Sequence, residues 1–267
     1  MKLGIIGGGV MGEALLSRLV AKNICPADTV LVSDPVPQRQ AELSQRYGVR
    51  TTADNRLVIQ TASVLLLAIK PQIFARVAAE MQGDRPSPPP DQMIVSILAG
   101  TSLAQLESAF PEQPVVRVMP NTPAIVGAGM TAIAPGQHTT AEHMTTARQL
   151  FEAVGEVVEV PESMMDAVTG VSGSGPGFLA VITEAMIDGG VLAGLPRAIA
   201  TQLALQTLKG TAELLQSGVH PAELKDRVTS PGGTTIAGVT KLEEAGVRSA
   251  MIQAVRVAYE RSQALGQ

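Results

Sequence analysis

Three glycines near the start of the chain have the spacing of a dinucleotide-binding turn. In "KLGIIGGGVMGEA", Gly7, Gly9 and Gly12 form the pattern G-x-G-x-x-G between an apolar run and a helical pattern. The first glycine permits a tight turn, the second lets the backbone approach a pyrophosphate, and the third lets helix and strand pack closely. Because such strings also occur as purely structural turns, the flanking strand and helix carry the prediction of a nucleotide site.

An acidic residue follows where the ribose of such a nucleotide is expected. Asp34 ends the next β-branched run, "TVLVSD", and its carboxylate could accept a hydrogen bond from a ribose 2′-hydroxyl, which favours NAD. It could equally be a turn or helix-capping aspartate before Pro35. A 2′-phosphate would instead need cations or small hydroxyls, and Ser33 and Arg39 lie close enough in sequence to supply them. The residues alone leave the choice between NAD and NADP open.

Two other polar residues occupy predicted strand ends. Lys70, in "LLLAIKPQ", lies at the carboxyl end of a predicted parallel strand, which is the edge where open α/β sheets bind ligands. It could contact the cofactor or be a solvated lysine. Asn121, in "MPNTP", could donate to a ligand or fix its own turn.

Two clusters of small residues mark the second half of the chain: "GVSGSGPGF" at residues 170–178 and "VTSPGGTTIAG" at residues 228–238. Neither suits a helix interior, and each precedes an apolar helical pattern. Free backbone N–H groups and hydroxyls at a helix N-terminus would suit a small carboxylate, although Ser, Thr and Gly are also ordinary helix caps. We expect a compact site against which another surface packs.

Acid–base machinery is sparse. His138, His143 and His220 lie in loop-like or helix-start positions, and none follows a strand end with an acidic residue to orient it. No Ser-His-Asp arrangement, Walker lysine or metal-ligand cluster is readable, and we predict no metal site. The predicted site therefore binds and orients its substrate.

Composition excludes several classes of function. The 267 residues carry a formal net charge of -4 and only 2% aromatic residues, with no Trp. A nucleic-acid partner is not expected, because the chain lacks both a basic surface and base-stacking platforms. The single Cys25 excludes an intramolecular disulfide and the multi-cysteine zinc patterns, and it fits a reducing, cytoplasmic setting.

Membrane insertion is not expected either. The apolar run after Lys2 breaks into glycines too soon for a signal peptide. A stretch without charged residues runs from Val118 to Ala141, but prolines interrupt it.

The pattern of elements predicts two domains. Up to Pro161, short β-branched runs alternate with helical patterns, which is typical of β-α-β units on a parallel sheet. "GDRPSPPPDQ" within this part is predicted to be a proline-rich surface connection. Beyond Pro161 the strand signal stops and helical periodicity takes over. We therefore predict an α/β dinucleotide-binding domain over residues 1–161 and an all-α domain over residues 162–267.

Five segments together resemble the Δ1-pyrroline-5-carboxylate reductases, the enzymes of the last step in proline biosynthesis. "IGGGVMGEA", "AIKPQ", "RVMPNTP" and "AVTGVSGSGP" occur in the family's order and spacing. "LKDRVTSPGGTTIAGVTKLEEAG" is similar to the family's signature segment almost throughout. The likeness covers essentially the whole chain, and the signature is far more specific than the glycine turn.

The resemblance implies a Rossmann-type domain followed by an all-α dimerisation domain, assembled as a homodimer or a higher homo-oligomer. It implies NAD(P)H-dependent reduction of the cyclic imine 1-pyrroline-5-carboxylate to L-proline, in an active site partly built by a neighbouring subunit. Hydride delivery to the C=N carbon needs no dedicated histidine, because the imine nitrogen is basic enough to arrive protonated or to take a proton from water.

The resemblance also implies which residues hold the cofactor. The glycine turn would hold the pyrophosphate, the end of the second strand would meet the adenosine ribose, and three later segments would line the rest of the groove. The predicted cofactor residues are Ile6, Gly7, Gly8, Gly9, Val10, Met11, Gly12, Ser33, Asp34, Asn55, Ala68, Ile69, Lys70, Pro71, Ile97, Leu98 and Ala99.

On the substrate side, the resemblance implies that Thr235 hydrogen-bonds the pyrroline nitrogen. Ser230, Gly233 and Thr234 would help to hold the substrate carboxylate, and Ser174 would shape the same pocket. Thr235 and Ser230 are the predicted catalytic pair.

The chain departs from the family pattern at one position. Similar reductases often carry small hydroxyl or basic residues where this chain has "SDPVPQR", and many favour NADPH. Asp34 puts that preference in doubt. NADPH is the expected cofactor, with NADH as the alternative.

Two rival interpretations stay open at this point. A β-hydroxyacid dehydrogenase of the same layout would need a helix-borne catalytic lysine, for which Lys209, Lys225 and Lys241 are the candidates. A nucleotide-binding regulatory protein without catalysis is the other, although the intact glycines together with "SPGGTT" argue against it.

Overall fold

The computed structural model describes residues 1–80, 89 and 91–266. The chain divides into two compact units, Met1–Ser174 with Ala258–Gln267, and Gly175–Val257. The predicted proline-rich connection "GDRPSPPPDQ" lies largely outside the described residues.

The first unit contains a mixed sheet. Within the described residues it has eight strands in the order β3-β2-β1-β4-β5-β6-β7-β8. The first six strands run parallel, whereas β7 runs antiparallel to β6 and is joined in parallel by β8. The strands are β1 (Leu3–Ile6), β2 (Val30–Ser33), β3 (Arg50–Thr52), β4 (Val64–Leu67), β5 (Met93–Ser96), β6 (Val115–Met119), β7 (Gly129–Pro135) and β8 (Gly155–Glu159).

In the described part of Met1–Ser174, six α-helices follow or connect these strands, and α7 follows the last strand. Their bounds are α1 (Val10–Ala21), α2 (Pro37–Tyr47), α3 (Asn55–Thr61), α4 (Phe74–Ala79), α5 (Leu103–Ala109), α6 (Ala141–Glu152) and α7 (Met165–Val168).

The core of this unit lies on both faces of the sheet. β1, β2, β4 and β5 are buried along their whole length, as expected of parallel strands covered by helices on both sides. One apolar cluster includes Leu15, Leu16 and Leu19 of α1. A second, separate cluster includes Leu106 of α5 and Phe110. The two layers hold the strand ends in fixed positions.

After β8 the described chain is entirely helical in its regular elements. The remaining helices are α8 (Gly175–Leu192), α9 (Arg197–Gln216), α10 (Pro221–Arg227), α11 (Thr234–Glu244) and α12 (Val247–Leu265). Pro221 occupies the first turn of α10, where a missing N–H costs no hydrogen bond. The fold is therefore an α/β domain followed by a helical one, as the sequence predicted.

Three features differ from the predictions. The sheet is not wholly parallel, because the chain returns through the turn after Asn121 so that β7 pairs antiparallel with β6. The short elements β3, α3, α4 and α5 were not predicted. The 170–178 cluster is not a free helix start: Thr169–Gly173 is π-helical, and the Ser174 N–H donates to the Thr169 carbonyl at 2.9 Å.

Candidate active site

Apart from Asn55, which follows β3, the predicted cofactor residues lie at four neighbouring strand ends that are in register. Ile6 is aligned with Ser33 on one side and with Leu67 on the other, and Leu67 is aligned with Ser96. With strands about 4.8 Å apart, the row spans roughly 14 Å. The strand order reverses between β1 and β4, which is where open α/β sheets bind ligands.

The glycine turn after β1 requires its glycines. Gly7 has a φ of +106°, a conformation that side chains rarely adopt, and its N–H donates to the Ser33 carbonyl at 2.8 Å. A Cβ at Gly12 would lie 2.2 Å from the Gly7 carbonyl oxygen. The turn and α1 therefore pack closely only with these residues.

This turn presents a row of free donors. The helix N-cap Gly9 has no side-chain cap, and no acceptor among the described residues takes the N–H groups of Gly9, Val10, Met11 or Gly12. A Cβ at Gly9 would meet nothing within 4 Å. Consecutive N–H groups at a helix N-terminus attract phosphate. The residues present therefore fit a dinucleotide pyrophosphate.

Asp34 holds the glycine turn in place. One carboxylate oxygen accepts the Gly8 N–H at 3.0 Å, and the other accepts the Val36 N–H at 2.9 Å. The turn-forming interpretation of Asp34 is thus borne out by its contacts. A carboxylate can accept further hydrogen bonds, so its contact with a ribose stays a prediction.

Arg39 is fully engaged within the protein. Its Nε donates to the Gly8 carbonyl at 2.6 Å, and its terminal nitrogens pair with Glu13 and with Glu42. Burial alone would raise the pKa of the Glu13 carboxyl, but hydrogen bonds from Arg39 and Tyr47 and the nearby positive charges lower it. The cluster ties α1 to α2, and each nitrogen of the Arg39 guanidinium already has an acceptor within the protein.

A pocket of about 480 Å³ opens beside the carboxyl end of β2. A chain of hydrogen bonds stiffens its wall: the Ser33 hydroxyl donates to Asn55 Oδ1 at 2.6 Å, and Asn55 Nδ2 donates to Glu80 at 2.9 Å. Ile6, Ser33 and Asn55, three of the predicted cofactor residues, line this pocket. The role of Glu80 was missed, because its separation from Asn55 in sequence gives no local signal.

The remaining cofactor predictions occupy two turns of the same edge. The Ala68 N–H donates to the Ile6 carbonyl at 2.8 Å, and Lys70 is exposed with no side-chain partner among the described residues. Leu98 is 2% exposed and packs in the core, so only its backbone could meet a ligand. The other predicted residues of these turns are Ile69, Pro71, Ile97 and Ala99, of which Ala99 is exposed.

The predicted substrate segment is a tight turn that leads into α11. The Gly233 N–H donates to the Ser230 carbonyl at 3.0 Å, and Gly232, after Pro231, has a φ of +68°. This is the pattern of a type II turn. A Cβ at Gly233 would lie 2.4 Å from the Ser230 hydroxyl oxygen, so the turn keeps that hydroxyl in place only with glycine.

Free donors also occur at the start of α11. Its N-cap Gly233 has no side-chain cap, and no described residue accepts the N–H groups of Thr234, Thr235 or Ile236. The hydroxyls of Ser230, Thr234 and Thr235 have no hydrogen-bond partner among the described residues either, and all three residues are exposed. An uncapped helix start with free hydroxyls suits a small carboxylate.

Ser174 and Asn121 are both placed in the first unit. Asn121 donates to the Ser172 carbonyl at 3.0 Å and accepts the Met130 N–H at 2.8 Å, so it fixes its turn and the π-helical segment. Ser174 follows that segment and is half-buried. The structure thus supports the turn interpretation of Asn121.

The candidate acid–base residues have local partners. His143 Nδ1 accepts the Thr140 N–H at 3.1 Å, and His220 Nδ1 accepts the Ala222 N–H at 3.2 Å, so both cap helices. The three candidate lysines each pair with a neighbouring acid: Lys209 with Glu213, Lys225 with Asp226 and Lys241 with Glu244.

Comparison with known proteins identifies the family. Residues 162–265 match the model "Pyrroline-5-carboxylate reductase dimerisation", and residues 2–100 match "NADP oxidoreductase coenzyme F420-dependent". A pyrroline-5-carboxylate reductase of Synechocystis sp. is 54% identical over 267 residues, covering 100% of this chain and 98% of the relative. The chain belongs to the pyrroline-5-carboxylate reductase family.

Two further relatives agree. The pyrroline-5-carboxylate reductase of Methanosarcina acetivorans is 44% identical, covering 99% of this chain and 98% of the relative. The crystal structure of Plasmodium falciparum pyrroline carboxylate reductase with NADP bound is 29% identical, with a TM-score of 0.89, covering 100% of this chain and 98% of that one.

The family decides between the earlier interpretations. The chain is an NAD(P)H-dependent pyrroline-5-carboxylate reductase of proline biosynthesis, with an NADP(H)-binding domain and a dimerisation domain, and it forms a homo-oligomer. This excludes the β-hydroxyacid dehydrogenase and non-catalytic alternatives. One described helical stretch, Glu162–Leu192, could cross a membrane by length and composition alone. In this soluble reductase it belongs to the dimerisation segment.

Proposed function

We propose that this reductase acts as a homodimer or higher homo-oligomer that converts 1-pyrroline-5-carboxylate to L-proline, with NADPH preferred and NADH as the alternative. The free donors at the start of α11 carry the substrate part of this proposal. The free donors of the glycine turn carry the cofactor part.

On the cofactor side, the residues from Ile6 to Gly12 bind the pyrophosphate through backbone N–H groups. Ser33 and Asp34 position the adenosine ribose, and Asn55 lines the groove beside them. The segments Ala68–Pro71 and Ile97–Ala99 line the remaining groove. When bound, the reduced nicotinamide supplies the hydride for the C=N carbon.

On the substrate side, the N–H groups at the start of α11 and the hydroxyls of Ser230 and Thr234 bind the carboxylate. Gly233 keeps the turn tight enough for this, and Ser174 shapes the pocket. Thr235 donates its hydroxyl hydrogen bond to, or accepts one from, the pyrroline nitrogen, according to whether that nitrogen is protonated. Orientation of the imine is then the main contribution of this segment to catalysis.

The test of the Thr235 assignment is the variant Thr235→Ala. We expect turnover to fall by more than about tenfold, because the imine nitrogen loses the hydroxyl that orients it. The affinity for NADPH should be unchanged. Steady-state kinetics and a fluorescence titration of NADPH measure the two effects, and Thr235→Ser should recover most of the activity.

Thr240→Ala is the matched control. Thr240 lies on the same helix, and its hydroxyl donates to the Ile236 carbonyl at 2.9 Å, so its removal should leave turnover within about twofold. Unchanged kinetics in Thr235→Ala would refute the role of Thr235.

We further propose a domain boundary near Pro161, with residues 1–161 binding the dinucleotide and residues 162–267 forming the helical domain. The family match that begins at residue 162 supports it, whereas the compact units divide after Ser174. A cytoplasmic location is supported by the free, buried Cys25, whose thiol needs no oxidising compartment. Neither nucleic acid nor membrane is a proposed partner.

A further inference from the structure

The pocket beside β2 carries two arginines for which the family resemblance gave no role. Arg56, in the first turn of α3, and Arg76, in α4, line the same pocket as Ser33 and Pro35. We propose that Arg56 and Arg76 bind the 2′-phosphate of NADPH and set the preference for it over NADH. This inference rests on the proposed use of NADPH.

The position of the pocket supports this assignment. In a dinucleotide-binding domain the ribose 2′-oxygen lies at the carboxyl end of the second strand, and an arginine there accommodates a 2′-phosphate. Ser33 ends that strand here and lines the pocket. Arg56 and Arg76 are the basic side chains among the described residues that line it.

Arg39, which is close to Ser33 in sequence, already has partners within the protein. Arg39 pairs with Glu13 and Glu42 and donates to the Gly8 carbonyl. Releasing it for a phosphate would break the contacts that tie α1 to α2. Arg56 and Arg76 could meet a 2′-phosphate without breaking any such contact.

The acidic side chains that line the pocket accept hydrogen bonds from neighbouring residues, whereas its two arginine side chains have no partner among the described residues. Asp54 accepts the Arg56 N–H at 2.9 Å as the cap of α3, and Glu80 accepts Asn55 Nδ2 at 2.9 Å. The guanidinium groups of Arg56 and Arg76 have no hydrogen bond or ion pair with any residue that the structure describes. Both residues are exposed, so their side chains can turn toward a ligand.

The chemistry of the two groups fits phosphate. A guanidinium presents a planar fork of N–H donors that matches two phosphate oxygens, and it stays charged at any physiological pH. Two such groups would also offset the repulsion between a 2′-phosphate and the carboxylate of Asp34. The acid at the end of β2 and NADPH use are then compatible.

The experiment compares ligands that differ by the 2′-phosphate. The variants are Arg56→Gln, Arg76→Gln and the double variant, in the full-length enzyme. Calorimetry with 2′,5′-ADP and with 5′-AMP measures binding to the adenosine site without catalysis. In the double variant we expect the affinity for 2′,5′-ADP to fall at least about tenfold and the affinity for 5′-AMP to stay within about twofold of wild type. Each single variant should show a smaller loss of affinity for 2′,5′-ADP.

Kinetics give the second measurement. The KM for NADPH should rise at least about tenfold in the double variant, with kcat and the KM for NADH nearly unchanged. Arg50→Gln is the matched control. Arg50 is an exposed arginine at the amino end of β3 and does not line the pocket, so its loss should change the affinity for neither nucleotide.

Equal losses for 2′,5′-ADP and 5′-AMP, as stacking of a guanidinium on adenine would produce, would overturn the assignment. Retained preference for NADPH in the double variant would overturn it too. A wild-type enzyme that does not prefer NADPH would instead contradict the proposed cofactor, so the two failures are distinguishable.

Discussion

The two compact units differ in how much of their own apolar surface they bury. In Met1–Ser174, helices cover both faces of the sheet, and strands such as β4 are buried throughout. In Gly175–Val257, Ala200 and Ala204 are the buried apolar residues that the structure describes. The first unit therefore has a complete core within one chain, and the helical unit does not.

The helical unit instead exposes large apolar side chains. Leu192 is 91% exposed, and the described residues of this unit include further exposed large apolar side chains: Leu179, Val181, Met186, Leu195, Ile199, Leu203, Leu205, Leu214, Val228, Ile236, Leu242, Ile252 and Val257. Large exposed apolar surfaces are rare on monomeric soluble proteins and mark interaction sites. We therefore expect a single chain to suffice for nucleotide binding, whereas the helical unit needs a partner copy to cover its apolar side chains.

The largest effect is expected from charges placed on α9, because they should prevent the helical unit from associating with its partner copy. Ile199 and Leu203 lie four residues apart on α9 and are 46% and 53% exposed. We expect the double variant Ile199→Asp/Leu203→Asp to weaken subunit association at least about a thousandfold, since two carboxylates would be buried without partners. Light scattering after gel filtration measures the mass, and activity should fall with it.

The control for this variant is Val158→Asp. Val158 is 38% exposed on β8, in the first unit, so a charge there should leave the mass of the oligomer unchanged. An oligomer that survives both aspartates on α9 would show that another face of the helical unit carries the interface.

Substitutions in the glycine turn should separate folding from nucleotide binding. In Gly12→Ala the new Cβ meets the Gly7 carbonyl, and we expect a loss of about 1–3 kcal/mol in the free energy of unfolding together with weak NADPH binding. In Gly9→Ala the Cβ meets nothing, so stability should be retained while the side chain obstructs the pyrophosphate. Urea unfolding and NADPH titration measure both, and equal stability losses would contradict this distinction.

Sequence patterns predict the first unit well where burial produces long apolar runs. β1, β2, β4 and β5 are such runs, and the glycine spacing locates the turn that follows β1. β3 (Arg50–Thr52) was missed because a short, half-exposed strand at the sheet edge has no apolar run. The helices α3 and α4 were missed because seven and six residues are too few to show a helical period, and with them the pocket residues Arg56 and Arg76.

Contacts between distant segments were not predictable. Asp34 accepts from Gly8, 26 residues earlier, and this pairing depends on how β1 and β2 align. The 170–178 cluster shows the opposite error, since its glycines suggested a free helix start. Hydroxyls within it bond back to the preceding turn, as Ser172 does to the Val168 carbonyl, and the segment stays helical.

A glycine of the helical unit should have a smaller effect than those of the turn after β1. In Gly233→Ala the Cβ would displace the Ser230 hydroxyl, so we expect kcat/KM for pyrroline-5-carboxylate to fall about tenfold, with NADPH affinity retained. Gly238→Ala, on the same helix with open space around it, is the control and should leave kinetics unchanged. A loss of NADPH binding in Gly233→Ala would contradict the assignment of this turn to the substrate.

The smallest effect should be the pH dependence that Glu13 contributes to the first unit. The pKa of its carboxyl is lowered in the folded protein, so its pairing with Arg39 and Tyr47 stabilises the fold at neutral pH. This contribution is lost as the pH falls below roughly 4.3, the unfolded value, through the lower folded pKa. We expect the difference in unfolding free energy between wild type and Glu13→Gln, below about 1 kcal/mol, to shrink between pH 6 and pH 3.5.

Urea titrations at one protein concentration measure that difference, because subunit dissociation makes stability concentration-dependent. Glu42→Gln is the control: Glu42 pairs with the same Arg39, but its side chain is 51% exposed against 20% for Glu13. Its effect on stability should be smaller at every pH, since solvent screens an exposed pair. If the difference for Glu13→Gln stayed constant across this range, the carboxylate would act through its shape and not its charge, and the cluster would not be the electrostatic link between α1 and α2.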